Sequence, residues 1–107
     1  MSEVKQATEA NWENDVLNAD LSSIVLFWAA WHGASKIMIP MLEDISRDYA
    51  GTLNVFTLDV ESSHSIPPKY RINDIPTTAF VKNGNIVDTK VNSMSKSDMV
   101  EFIDKNR

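Results

Sequence analysis

The segment Ile24-Val25-Leu26-Phe27-Trp28-Ala29 constrains the fold more than any other. It is continuously apolar, rich in β-branched and aromatic residues, and shows no alternation of apolar and polar positions. Alternation would mark a strand with one face in water. An unbroken run marks a central strand covered on both faces, which requires a layer of chain on either side. The apolar run continues to Trp31 and is the longest in the chain. It still falls far short of the ~20 residues a helix needs to cross a bilayer.

The flanking sequence supplies the layers. Leu53 to Val60 predicts a second buried strand. Between the two, Ser35 begins a helix that runs to about Tyr49 and stops at Gly51. Met38, Met41, Leu42, Ile45 and Tyr49 form its apolar stripe, and Glu43, Asp44, Arg47 and Asp48 its solvated side. Pro40 lies inside and predicts a kink, because it lacks an N–H and clashes with the preceding turn. Upstream, Glu3 to Ala7 reads as a short first strand. Thr8 caps a helix from Glu9 to about Ala19, with Trp12, Val16 and Ala19 facing the core. Downstream, Ser62 to Tyr70 is polar with one short helix, its first turn holding Pro67 or Pro68. Thr77 to Lys82 and Ile86 to Val91 are strands joined by a tight Asn83-Gly84 turn, hence antiparallel. Ser95, with Asp98 three residues on, opens a last helix that turns Met99, Phe102 and Ile103 inward. The order β-α-β-α-β-α-β-β-α predicts an α/β fold, a mixed central β-sheet sandwiched by helices. No linker, repeat or low-complexity tract interrupts it, so residues 1–107 are expected to form a single domain.

Composition removes whole classes of function. Fifteen acidic residues against ten basic ones leave a net charge of −5, which argues against nucleic-acid binding. The N-terminus, Met1-Ser2-Glu3-Val4, has no basic segment followed by an apolar one, so a soluble, cytoplasmic protein is expected. Cysteine is absent. That removes disulfides, thiolate metal sites, cysteine nucleophiles and dithiol redox chemistry together.

In sequence order the chain resembles the thioredoxin family over nearly all its length. Phe27-Trp28-Ala29-Ala30-Trp31 is similar to the strand end that leads into that family's active site. Lys36 and Pro40 match its post-motif lysine and helix-kinking proline, and Lys82-Asn83-Gly84 its hairpin. Pro68-Lys69-Tyr70 with Ile75-Pro76-Thr77 resembles the segment that ends in the family's cis-proline, which implies a cis bond before Pro76. The family motif Trp-Cys-Gly-Pro-Cys-Lys reads here Trp31-His32-Gly33-Ala34-Ser35-Lys36. Catalysis in that family requires a thiolate to attack a disulfide and a second thiol to resolve the mixed disulfide. His32 and Ser35 stand at both thiol positions. The family's buried acid matches Leu26, and its basic companion on the neighbouring strand matches Thr57. The resemblance therefore implies the fold without the chemistry: a redox-inactive variant, with Trp31 to Lys36 a vestigial motif.

Joint loss of thiols, acid, base and motif proline points to a sequence designed on a thioredoxin backbone, since an apolar replacement for a buried acid favours folding. Gly51 and Gly84, and Asn92 where the family has glycine, fall where a positive φ is expected. The alternative is a natural non-catalytic module that binds protein weakly through a peptide groove at Trp31, Ile75 and Pro76. A further alternative, hydrolysis by Ser35 with His32 as base, lacks any acid nearby in sequence to orient the imidazole. In the plainer account Ser35 opens the helix and His32 is exposed. His32 and His64 sit far apart in sequence without a third ligand, so no metal is expected. No cofactor and no obligatory partner are expected, and the chain is read as a monomer.

Overall fold

The computed structural model describes residues 4–107. These form one sheet from β1 (Val4–Gln6), β2 (Ser23–Trp28), β3 (Asn54–Asp59), β4 (Thr77–Lys82) and β5 (Asn85–Val91), in the order β1-β3-β2-β4-β5. β2 is central, parallel to β3 and antiparallel to β4. β1 runs parallel to β3, and β5 antiparallel to β4. The sheet is mixed, as the order of elements predicts. The start of the expected first strand, Glu3, lies outside the described residues.

Side chains of β2 alternate between two cores, which is why its sequence shows no polar position after Ser23. Ile24 and Leu26 face one apolar cluster with Leu42 and Ile45 of α2 (Ile39–Asp48) and Met99 and Ile103 of α4 (Lys96–Asn106). Val25 and Phe27 face the other, with Trp12, Val16 and Ile66. Ile24, Val25, Leu26 and Phe27 are all fully buried. Burying such side chains contributes roughly 1.5–3 kcal/mol each.

Two helices differ from the sequence expectation. The first is not an α-helix from Glu9 to Ala19 but a π-helix, Trp12–Leu17, in which Asn18 N–H donates to Glu13 O at 2.9 Å. Thr8 is not its N-cap; Asn11 holds that position, and the two residues close the turn before the helix, Asn11 N–H donating to Thr8 Oγ1 at 3.2 Å and Thr8 N–H to Asn11 Oδ1 at 2.7 Å. Ala19 is only half-buried. The second expected helix is two helices, α1 (Gly33–Lys36) and α2, broken at Ile37 and Met38. Pro40 sits in the first turn of α2, where its missing N–H costs nothing.

α3 (Ile66–Lys69) carries Pro67 in its first turn, and Ser95 accepts from Asp98 N–H at 3.2 Å to cap α4. Gly51, Gly84 and Asn92 have φ of 82°, 80° and 80°, as their residue types predict. Arg71, at φ 58°, gives no such sequence signal.

The C-terminal turn of α4 is tied to the sheet edge through Asp88 of β5. Its carboxylate accepts from Asn106 Nδ2 at 2.9 Å and from Lys105 Nζ at 3.3 Å. The Asn106 hydrogen bond, with help from Lys105, holds the Asp88 carboxyl below its ordinary value against the opposing effect of burial. A depressed carboxyl stabilises the fold above its unfolded value, ~3.9, and that contribution is lost as pH falls through the folded value. Asp88→Asn is therefore expected to lower the denaturant midpoint near neutrality, with the gap to the parent closing below about pH 4. A gap that stays constant to about pH 2 would show that the carboxylate charge contributes nothing.

Candidate functional site

The site lies at the end of the sheet where β2 finishes and β4 starts. Phe27 pairs with Thr77, so the turn that follows Trp28 and the residue that precedes Thr77 emerge side by side. The Ile75–Pro76 bond is cis, as the resemblance implies. Pro76 is buried, and its carbonyl accepts from Asn92 N–H at 2.9 Å. Ile75 is half-buried against the cluster that holds Phe27.

After β2 the chain turns through Ala29 to Trp31 and enters α1 at Gly33, two residues earlier than the sequence suggests. His32 is the N-cap. Its Nδ1 accepts from Ser35 N–H at 3.3 Å, and it is half-buried rather than exposed. Ser35 is fully buried, and its roles are the reverse of those expected. Its hydroxyl lies 2.9 Å from His32 O and 3.2 Å from Ala29 O as donor, and accepts from Ala29 N–H at 3.4 Å. The hydroxyl therefore pins the turn to the helix from inside. It does not face the imidazole, which meets the Ser35 amide instead. This arrangement gives Ser35 no base and no access to a substrate, so the residues of the proposed Ser–His pair come together as structural partners.

Trp31 stands out in solvent, 66% exposed, with the His32 ring nearly perpendicular to its own and 5.5 Å away between centroids. Ile37, where α1 breaks from α2, is 71% exposed. Gly33 has open space where a Cβ would lie, Ala34 is exposed, and Lys36 reaches solvent at the end of α1. Sequence reasoning did not single out Ile37; it lies outside the motif, and a lone isoleucine in an expected helix carries no signal.

Beneath the turn, Leu26 pairs with Thr57 on β3 and with Thr78 on β4. Leu26 is fully buried, Thr57 is 7% exposed, and Thr78 is fully buried. The positions matched to the family's acid and base are adjacent across one sheet face. They hold an isobutyl group and a hydroxyl, which transfer no proton at neutral pH. Among the described residues, no group of three or more His, Cys, Asp or Glu is placed to hold a metal, and no helix is long and apolar enough to cross a membrane.

The comparisons with known proteins agree with this geometry. The family model described as Thioredoxin matches residues 3–105. The chain is 42% identical over 107 residues to the thioredoxin of Pseudomonas aeruginosa, covering 99% of each chain. It is 37% identical over 106 residues to the thioredoxin of Buchnera aphidicola subsp. Acyrthosiphon pisum, covering 99% of this chain and 98% of that one. With the thioredoxin of Haemophilus influenzae the identity is 31% over 106 residues, covering 99% of each. With the fold, the cis bond before Pro76 and the Trp31–Lys36 turn in place, and with no cysteine anywhere in the chain, this protein belongs to the thioredoxin family as a cysteine-lacking variant.

Proposed function

We propose that this chain is a non-catalytic thioredoxin-fold module that holds an extended peptide segment in the groove at Trp31, Ile75 and Pro76. The observation that carries the reading is Trp31, a large aromatic side chain 66% exposed beside a turn that is rigidly held. His32 caps that turn and the buried Ser35 hydroxyl anchors it. A chain that has given up exchange chemistry but keeps a stiff turn with an exposed indole has kept what recognition needs. Exposed Ile37 extends the apolar surface beyond the motif. No cofactor, metal, nucleic acid or membrane enters this function, and it suits a soluble cytoplasmic setting.

A sequence written for folding alone is the second reading, favoured by Leu26 in the core where an acid would cost stability. Three features weigh against it. Arg71 occupies a left-handed conformation that glycine would fill without strain. The Ser23 and Thr78 hydroxyls are buried without a hydrogen-bond partner among the described residues. Trp31 and Ile37 expose apolar area. Selection for folding alone removes each of these.

Selection of a displayed random-peptide pool on the immobilised protein tests the proposal. Enrichment of extended sequences with apolar anchors is expected, with affinity falling by roughly tenfold or more in Trp31→Ala. No enrichment over a blank surface, or binding indifferent to both Trp31→Ala and Ile75→Ala, would defeat it. Turnover of a protein disulfide above blank would defeat its non-catalytic half.

A further inference from the structure

We propose that two copies of this chain pair through the free edge of β5, antiparallel and centred on Thr89. β5 ends the sheet, and only its β4 side is paired. Across that side Asn92 N–H donates to Pro76 O at 2.9 Å. Backbone groups alternate in direction along an antiparallel strand, so Lys90 also turns toward β4, while Thr89 and Val91 turn their N–H and C=O outward. Thr89 agrees with that direction: its N–H is held by the Asp88 carboxylate at 2.9 Å, a bond that pairing exchanges for one to the second strand. An outward row of this kind is a template for another strand.

The order of side chains selects the partner. Rotated about Thr89, Asp88-Thr89-Lys90 meets itself as Asp88 with Lys90 and Thr89 with Thr89. A two-fold axis normal to the sheet pairs only positions on the same face, so nearby registers are those centred on a residue. Centring on Asp88 opposes two carboxylates, and centring on Lys90 opposes two ammonium groups. Like charges opposed across strands destabilise the pair. Centring on Thr89 opposes none. It brings together two pairs of opposite charge, and its axis falls on a residue whose outward N–H and C=O meet those of its copy.

The surroundings suit that register. Val87 and Val91 are 50% and 46% exposed, so a second strand laid along this edge covers apolar area that water now meets. Val87 and Thr89 border a shallow hollow with Tyr70 and Ile86, which continues the apolar side of the pair. Asp88 is held by Asn106 and Lys105, so its carboxylate is already positioned for Lys90 of the second copy. The β-bulge falls at Val87, which has no partner on β4, and leaves Asp88 to Val91 in regular register.

A contact limited to one strand edge buries less than the ~1,200–2,000 Å² of a stable complex, so a dissociation constant on the order of 0.1–1 mM is expected. Sedimentation equilibrium over a concentration series, with amide exchange measured in parallel, tests it. The mass should rise above the 12.0 kDa of one chain as concentration approaches about 1 mM, and the Thr89 and Val91 amides should gain protection with it. Thr89→Pro removes an outward N–H that β4 does not use, and Lys90→Glu sets like charges opposite Asp88. Each should weaken pairing by roughly tenfold or more, while Thr89→Val, which keeps the N–H, should not. Lys90→Glu keeps the test decisive should the proline variant fold poorly. A mass that stays at 12.0 kDa, with Thr89 exchange independent of concentration, would overturn the proposal. So would association that survives both Thr89→Pro and Lys90→Glu, or that Trp31→Ala abolishes, since the contact would then lie elsewhere.

Discussion

Cysteine introduced at both 32 and 35 is expected to form a disulfide and yet to reduce protein disulfides only slowly. The two positions flank the first turn of α1, where residues three apart are neighbours. Ser35 N–H, which now donates to His32 Nδ1, would face a thiolate at 32 and stabilise it. What is missing lies beneath. Leu26 is fully buried between Thr57 and Thr78, and neither hydroxyl replaces a carboxylate that passes a proton to the leaving thiol.

Adding Leu26→Asp to that variant should raise the reduction rate by about tenfold or more, because proton transfer by a positioned group contributes on that scale or above. The same change should lower stability by about 3–5 kcal/mol, since it removes a buried isobutyl group and places a polar one among Ile24, Met38 and Leu42. Thr78 Oγ1 is buried without a partner among the described residues and sits across from position 26, so it is placed to donate to the new carboxylate. Thr78→Val should therefore deepen the loss in the Leu26→Asp background and cost little in the parent. Disulfide turnover and denaturant midpoints of the variants measure this. If Leu26→Asp leaves both quantities unchanged, position 26 is not the buried site beneath the turn.

The sheet was legible because its strands carry their environment in their residues. β2 is apolar from Ile24 to Trp28 since each of its faces meets a separate cluster, and Asn83-Gly84 marks the hairpin by backbone preference alone. The helices were legible in their buried faces and not in their hydrogen bonding. Trp12 and Val16 lie four apart, a spacing that an α-turn and a wider π-turn both satisfy, so the ring closed by Asn18 N–H and Glu13 O leaves no mark in the pattern. Pro40 announced a kink, but its effect falls upstream. The α ladder already gives way at Met38, whose N–H reaches Ser35 O, three residues back. In the site, residue types named the positions but not the roles. A serine in front of a helix reads as a cap, and only the packing of the turn shows its hydroxyl turned inward to Ala29 and His32 while the imidazole does the capping.

Trp12→Ala is expected to destabilise the chain by about 3–5 kcal/mol, a large share of the 5–15 kcal/mol typical of whole domains. Trp12 is 5% exposed and stands edge-on to Phe27 at 6.3 Å, so truncation opens the core on the side that the π-helix covers. Its indole N–H also donates to the Tyr70 hydroxyl at 2.9 Å, joining the π-helix to the residue that ends α3. Tyr70→Phe should cost about 1–3 kcal/mol because the buried indole N–H then loses its acceptor. Trp12→Phe removes the donor as well, so Trp12→Phe with Tyr70→Phe should be less destabilised than the two single changes added together. The Asn18 amide, whose bond to Glu13 closes the π-turn, should lose exchange protection in Trp12→Phe beyond the global loss. Additivity within about 0.5 kcal/mol, with Asn18 following global stability, would mean that the aromatic packing alone holds this helix and the hydrogen bond does not.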